Sequence, residues 1–209
     1  MNLTTPRIIE TGIAIGLFLG YVILWRTKRV RELRRTGVDP EVLTRVSTPV
    51  QAYFARLVRV MTLFVVAIIA LHTFAPDTWP PLARVDSLDS LAFDLLGGIV
   101  GLAGLGLAAL AQETMGSSWR VGIDTTNNTD LISGGVYRWI RNPTYVGLHL
   151  VSAGLWLIWP TTLVLFYGVL FFLVMDIQVR CEEEFLIAVH GERYRKYAAR
   201  TWRYLPRVY

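Results

Sequence analysis

The chain has 209 residues, of which 53% are hydrophobic and 18% charged, with seven Trp and a net charge of +5. Its apolar residues gather in long runs, which excludes an ordinary soluble domain and points to an all-α, polytopic transmembrane protein. One cysteine, Cys181, excludes an intrachain disulfide, and the net charge does not signal nucleic-acid binding because the basic residues sit beside apolar runs.

Five candidate spans follow in order, at roughly 8–25, 57–74, 91–111, 144–159 and 161–179. Pro160 separates the last two and makes them a tight helical hairpin. With five spans, three polar segments share one side of the membrane: nine Lys and Arg between 26 and 59, three between 112 and 143, and seven after 176. Only Arg7 and Arg84 fall on the other side. The positive-inside rule then puts the N-terminus outside and the C-terminus in the cytoplasm, as expected for a bacterial inner-membrane protein. The first run has its basic cluster after it and no small-residue cleavage site, so it reads as a retained span. The stretch "RTKRVRELRR" (26–35) reads as a juxtamembrane stop signal that faces membrane lipid headgroups.

Residues 1–111 read as a three-span scaffold. In span three, "GGIVGLAGLG" (97–106) places Gly97 and Gly101 four apart inside an apolar helix, the spacing of close helix packing rather than of a nucleotide loop. Glu10 and Asp94 lie near predicted outer ends, where they are expected to snorkel to the interface. Residues 112–209 read as the functional half. The loop 112–135 is polar and turn-rich, has no His or Cys cluster and hence no metal-site spacing, and is long for a membrane-protein connection. After span five, Phe185, Leu186 and Val189 share one face of an amphipathic cytoplasmic helix, which Gly191 interrupts.

The chemistry concentrates in "YRWIRNPTYVG" (137–147). Asn142-Pro143 is a helix-start signal: Asn is a favoured N-cap and Pro a favoured first helical residue. The unpaired N–H groups of that terminus, with Arg138 and Arg141, make either an anion site or a topological anchor shared with Trp139. Gly147 serves packing or close approach of a ligand, and His149, one turn after Tyr145, reads as hydrogen-bonded structure. A second cluster, Asp176, Arg180, Glu182, Glu183 and Glu184, reads as an ion-pair ladder or as a ligand-facing carboxylate.

Taken together, "GVYRWIRNPTYVG" (135–147), a short hairpin, the Glu182-Glu183 pair with Leu186, and "HGERYRKYAAR…LP" (190–206) resemble the isoprenylcysteine carboxyl methyltransferases and the related phospholipid methyltransferases. The likeness covers about residues 112–209. It implies an integral membrane enzyme that binds S-adenosyl-L-methionine without a Rossmann domain and methylates a lipid-like or amphipathic acceptor. By motif position it assigns cofactor binding to Thr129, Asp130, Leu131, Ile132, Tyr137, Asn142, Pro143, Thr144, Tyr145 and Glu182. Arg141 and Arg180 become the candidate catalytic residues, in a basic lining shared with Arg138 and Arg200 that favours an anionic or neutral acceptor. Asn142 stands where the carboxyl methyltransferases usually have His, Gln178 where the eukaryotic ones have a substrate-binding Arg, and Thr201-Trp202 where Val-Pro is frequent. These departures leave the acceptor and the methylated atom open. Phospholipid N-methylation, an NADPH-dependent sterol-reductase-like activity and a non-catalytic membrane scaffold are the alternative readings.

Overall fold

The computed structural model describes residues 5–43, 45, 48–76, 78–125 and 129–205. Pro206, which closes the terminal motif, and residues 126–128 of the polar loop lie outside these described residues. Among the described residues six α-helices follow in order: α1 (Thr5–Thr36), α2 (Pro49–Phe74), α3 (Leu91–Met115), α4 (Pro143–Ile158), α5 (Thr162–His190) and α6 (Glu192–Ala198). Among the described residues the only extended pairings are isolated bridges, Glu41 with Val121, Arg84 with Thr161 and Ile140 with Trp202.

The protein is a polytopic helical membrane protein. Helices α1, α2, α3 and α5 are long and apolar enough to cross a membrane, and α4 is a shorter apolar helix of 16 residues. At 1.5 Å per residue α4 reaches about 24 Å, short of a hydrocarbon core of about 30 Å. Large apolar side chains on the outer faces stay uncovered, with Ile99 64% and Leu102 63% exposed on α3. The bundle interior is filled instead by Ala14, Leu17, Met61, Ile68, Leu155, Ile158 and Trp159.

Four helices outrun the spans expected from hydropathy, α2 by starting at Pro49. α1 continues through the basic stretch to Thr36 and stops at Gly37, whose φ of 71° suits glycine. The stretch is held by partners: Lys28 and Glu32 form a buried pair at 2.8 Å, Arg29 grips Asp39 through both carboxylate oxygens at 2.9 and 2.7 Å, and Arg31 bonds Glu113. α3 runs to Met115, so Gln112, expected to open the loop, is helical. α5 is continuous from the bilayer to His190 and absorbs the expected separate amphipathic helix, because no Gly or Pro interrupts 169–190; Gly191 ends it at a φ of 54°.

α3 and α4 pack antiparallel on facing glycines. A Cβ at Gly97 would stand 2.5 Å from the Gly154 carbonyl oxygen, and one at Gly147 would stand 2.5 Å from that of Gly104. Gly97 and Gly104, like Gly147 and Gly154, are one heptad apart, so the seam repeats in register. The packing expected for Gly97 and Gly101 is what the structure contains, and of the two readings of Gly147 it contains the packing one. At the other end of the bundle, Glu10 and Asp94 are buried rather than snorkelling. Glu10 takes both terminal nitrogens of Arg84 and the indole N–H of Trp159 at 3.2 Å, which compensates its burial.

Candidate functional site

Pro143 opens α4, and Asn142 holds the N-cap position without capping through its side chain. Its amide instead donates to Glu183 Oε1 at 3.1 Å and to the Arg203 carbonyl at 3.4 Å. Arg141 donates from Nε to Glu183 Oε1 at 2.9 Å and from Nη1 to the carbonyls of Ala198, at 2.9 Å, and Thr201. Arg203 completes the group with 3.0 and 2.8 Å bonds to Glu183 Oε2. Backbone bonds from Arg141 N to Trp202 O (2.8 Å) and from Trp202 N to Trp139 O (3.1 Å) lay the C-terminal segment beside residues 139–141. Glu183 is thus the centre of a clasp, and Arg141 is committed to it.

The neighbouring acid behaves differently. Glu182 Oε1 accepts from the Tyr145 hydroxyl at 2.7 Å and from Gln178 Nε2 at 2.9 Å, and no donor among the described residues reaches Oε2. Gln178 Oε1 accepts from Gln51 Nε2 at 3.3 Å, and Gln51 Oε1 accepts from the Ile123 amide at 3.2 Å. This chain of bonds joins α4, α5 and α2 to the segment after α3. That segment covers the bundle end: Val121 N donates to Pro40 O at 2.9 Å, Val121 O accepts from Val42 N and Leu43 N at 3.0 Å each, and Trp119 is buried.

Beneath it lies a cavity of about 340 Å³, within the usual size range of small-molecule sites. Its polar end carries Glu182, Asp130, Thr129, Gln112, Tyr137 and Tyr145; its apolar end runs between α1, α2, α4 and α5 past Leu17, Phe18, Met61, Val65, Leu155 and Phe171. Nine of the ten cofactor positions expected from sequence line it: Thr129, Asp130, Leu131, Ile132, Tyr137, Asn142, Thr144, Tyr145 and Glu182. The tenth, Pro143, is buried behind them. Burial pushes the Tyr137 phenol well up, partly offset by a hydrogen bond from Thr144, and pushes Tyr197 up to about 12. Both stay protonated at neutral pH, and Tyr197 donates to the Tyr137 carbonyl at 2.7 Å.

The expected arginines divide. Arg141 and Arg120 line the cavity; Arg138, Arg180 and Arg200 are not in its lining. Arg138 stacks over exposed Trp139 at 5.0 Å, so the anchor reading fits these two residues while Arg141 and Asn142 turn to the cavity side. Arg180, expected to be catalytic, is half exposed and bonds Asp176 at 2.7 Å. Arg120 donates to Ser117 O, Trp119 O and Asp124. The basic lining expected from sequence is therefore a lining of two engaged arginines. His149 packs against the rings of Phe171, Phe172 and Tyr204, outside the cavity. Sequence reasoning missed the contribution of the first two helices, though Phe18, Tyr21 and Trp25 repeat at helical spacing and mark the face of α1 that reaches the cavity.

Residues 93–193 match the family model described as phospholipid methyltransferase. This segment belongs to that family. The family region spans α3, the covering segment, the α4–α5 hairpin and the start of α6, and so holds most of the polar end. Among curated proteins, the chain is similar to a Protein-S-isoprenylcysteine O-methyltransferase of Saccharomyces cerevisiae, 32% identical over 115 residues, in a match that covers 53% of this chain and 48% of the relative. The chain thus spans about half the length of that relative. Among solved structures it is similar to the eukaryotic intramembrane Ras methyltransferase ICMT (isoprenylcysteine carboxyl methyltransferase), with a TM-score of 0.55 and 20% identity over 94% of this chain and 68% of that one. That likeness extends the shared fold across α1 and α2, beyond the family segment.

Proposed function

We propose that the chain is an integral membrane methyltransferase that binds S-adenosyl-L-methionine at the polar end of the cavity and methylates a lipid-like or amphipathic acceptor held in its apolar end. The observation that carries this reading is the cavity itself: one continuous space joins a carboxylate- and aromatic-lined end to an apolar channel between four helices. The donor set suits the cofactor. Carboxylates at Glu182 and Asp130 suit its ammonium and ribose hydroxyls, Trp119 and Tyr137 offer ring faces to a sulfonium, and the first N–H groups of α4 suit a carboxylate. When bound, the cofactor supplies an already activated methyl group, so the protein's part is to orient the acceptor and exclude water. The covering segment and the apolar channel serve those two ends.

Titration of the detergent-purified chain with S-adenosylhomocysteine tests the reading. Measurable heat and a raised melting temperature are expected; neither heat nor stabilisation sinks it. Glu182→Ala and Tyr145→Ala are expected to weaken that binding without unfolding the protein, and unchanged affinity in both means the site is elsewhere. We place the polar end in the cytoplasm, following the distribution of Lys and Arg.

N-methylation of a lipid amine is favoured over methylation of a carboxylate by one observation. Both arginines of the cavity lining are already engaged, by Glu183 or Asp124 and by backbone carbonyls, so an acceptor carboxylate finds no uncommitted guanidinium there. A labelled-methyl assay against lipid extract, prenylcysteine analogues and small thiols separates these acceptors.

A further inference from the structure

Gln112 is one of the most deeply buried polar side chains in the molecule, at 1% exposure, and it lines the cavity. Its Oε1 has no hydrogen-bond partner among the described residues. A buried amide oxygen left without a donor costs about 1–3 kcal/mol, and native structures rarely tolerate one unless something else satisfies it. Gln112 lines the cavity, so a bound ligand can supply that donor. Gln112 therefore points to a ligand that presents an N–H or O–H at this spot.

Its position narrows the ligand further. Ala108, one turn earlier on α3, meets Gly147 of α4. One turn on, Gln112 lies beyond the start of α4, on the side where Tyr137, Thr129 and Asp130 line the polar end. The charged donor of an amino-acid moiety and the hydroxyls of a ribose are better matched by the carboxylates of Asp130 and Glu182. A neutral, planar donor is left for the neutral amide. A glutamine amide pairs with an adenine edge in two ways at once, Oε1 accepting from the exocyclic N6 amine and Nε2 donating to N7.

Resting on the cofactor reading above, we infer that Gln112 recognises the adenine edge of the bound nucleoside and sets the preference of this site for a 6-amino purine. The residue acts on specificity and takes no part in methyl transfer. A site built around a buried acceptor rejects a ligand lacking the matching donor more strongly than it rejects a change of size.

The experiment compares S-adenosylhomocysteine with S-inosylhomocysteine, in which the 6-amino donor is replaced by an acceptor oxygen, by calorimetric titration of the full-length chain in detergent. The wild type is expected to bind the adenosyl compound at least about ten-fold more tightly. Gln112→Met, which keeps chain length and helix propensity, is expected to weaken adenosyl binding about ten-fold and to narrow the preference to under about three-fold. Equal binding of the two compounds by the wild type overturns the inference without needing any variant. A Gln112→Met protein that melts like the wild type but keeps its full preference overturns it too. If that variant does not fold, Gln112→Asn, which withdraws the oxygen by one methylene, carries the same comparison, and a wild-type preference that persists in it is equally fatal. Binding of neither compound by the wild type removes the cofactor reading itself, an outcome distinct from the other two.

Discussion

Glu182 and Glu183 are adjacent on α5, yet their carboxylates meet opposite kinds of partner, two neutral donors for the first and two guanidinium groups with an amide for the second. The same substitution should therefore read out differently. Glu183→Ala leaves Arg141 and Arg203 without their buried counter-charge, and breaking such a pair costs about 3–5 kcal/mol; a large fall in melting temperature is expected even without ligand. Glu182→Ala should leave the melt of the unliganded protein nearly unchanged and lose the shift that S-adenosylhomocysteine produces. Arg180→Ala removes a half-exposed pair with Asp176, worth up to about 1 kcal/mol. Its affinity for S-adenosylhomocysteine should stay within about two-fold of wild type, whereas normal cofactor affinity with methyl transfer abolished would return Arg180 to the catalytic set. Much of the polar end was legible only through the family resemblance, which assigned Thr129, Asp130, Leu131, Ile132, Tyr137 and Glu182 by motif position; the residues by themselves showed the helix start at Asn142-Pro143. The committed state of Arg141 was not legible, since Glu183 and the carbonyls of Ala198 and Thr201 reach it from 42 to 60 residues away. Gln112 was hidden for another reason: a neutral residue at the end of an apolar run gives no periodic or charge signal.

At the scale of elements, hydropathy located the helices but not their ends. The apolar runs stop where a bilayer would stop, near Trp25, Ala111 and Val179, while the helices go on to Thr36, Met115 and His190. Polar residues with good helix propensity continue them. These extensions build the site, for Gln112, Glu182 and Leu186 all stand on them. The α3–α4 seam was legible through its glycines, and it is the element whose failure should be felt farthest. At Gly147 a methyl group would press on the Gly104 carbonyl and on Ala108, backbone and Cβ that can only yield if the helices part. Gly147→Ala is expected to cost about 1–3 kcal/mol. Because Thr144 and Tyr145 lie on the preceding turn, it should also weaken S-adenosylhomocysteine binding. Gly106→Ala is the control, since nothing lies within 4 Å of its Cβ position; thermal melts should show it neutral or slightly stabilised. Equal losses in the two variants would contradict a seam made by close backbone approach.

For the molecule as a whole, the division into a scaffold half and a functional half describes the sequence better than the assembled cavity, which draws on both. Asp39, between α1 and α2, shows how the halves are coupled. It is gripped by Arg29 and also bonded by Arg45. Just beyond it, Pro40, Val42 and Leu43 bond to Val121 of the covering segment. The hydrogen bonds from Arg29 hold the Asp39 carboxyl down to about 2, against an ordinary value of 3.8. A carboxyl depressed in the folded state contributes stability above its unfolded value and loses it as pH falls through the folded one. The stability it contributes is therefore complete at neutral pH, declines below about pH 4 and is largely lost by about pH 2, where half of the folded carboxyl is protonated. Trp119, buried in the covering segment, reports on it. Acid titration followed by tryptophan emission should show a change in the wild type centred near pH 2 that is missing from Asp39→Asn, which lacks the charge at every pH. At neutral pH the same variant should exchange the amides of 118–124 faster and bind S-adenosylhomocysteine a few-fold more weakly. Faster exchange with unaltered affinity would mean that the covering segment closes the bundle without holding the ligand.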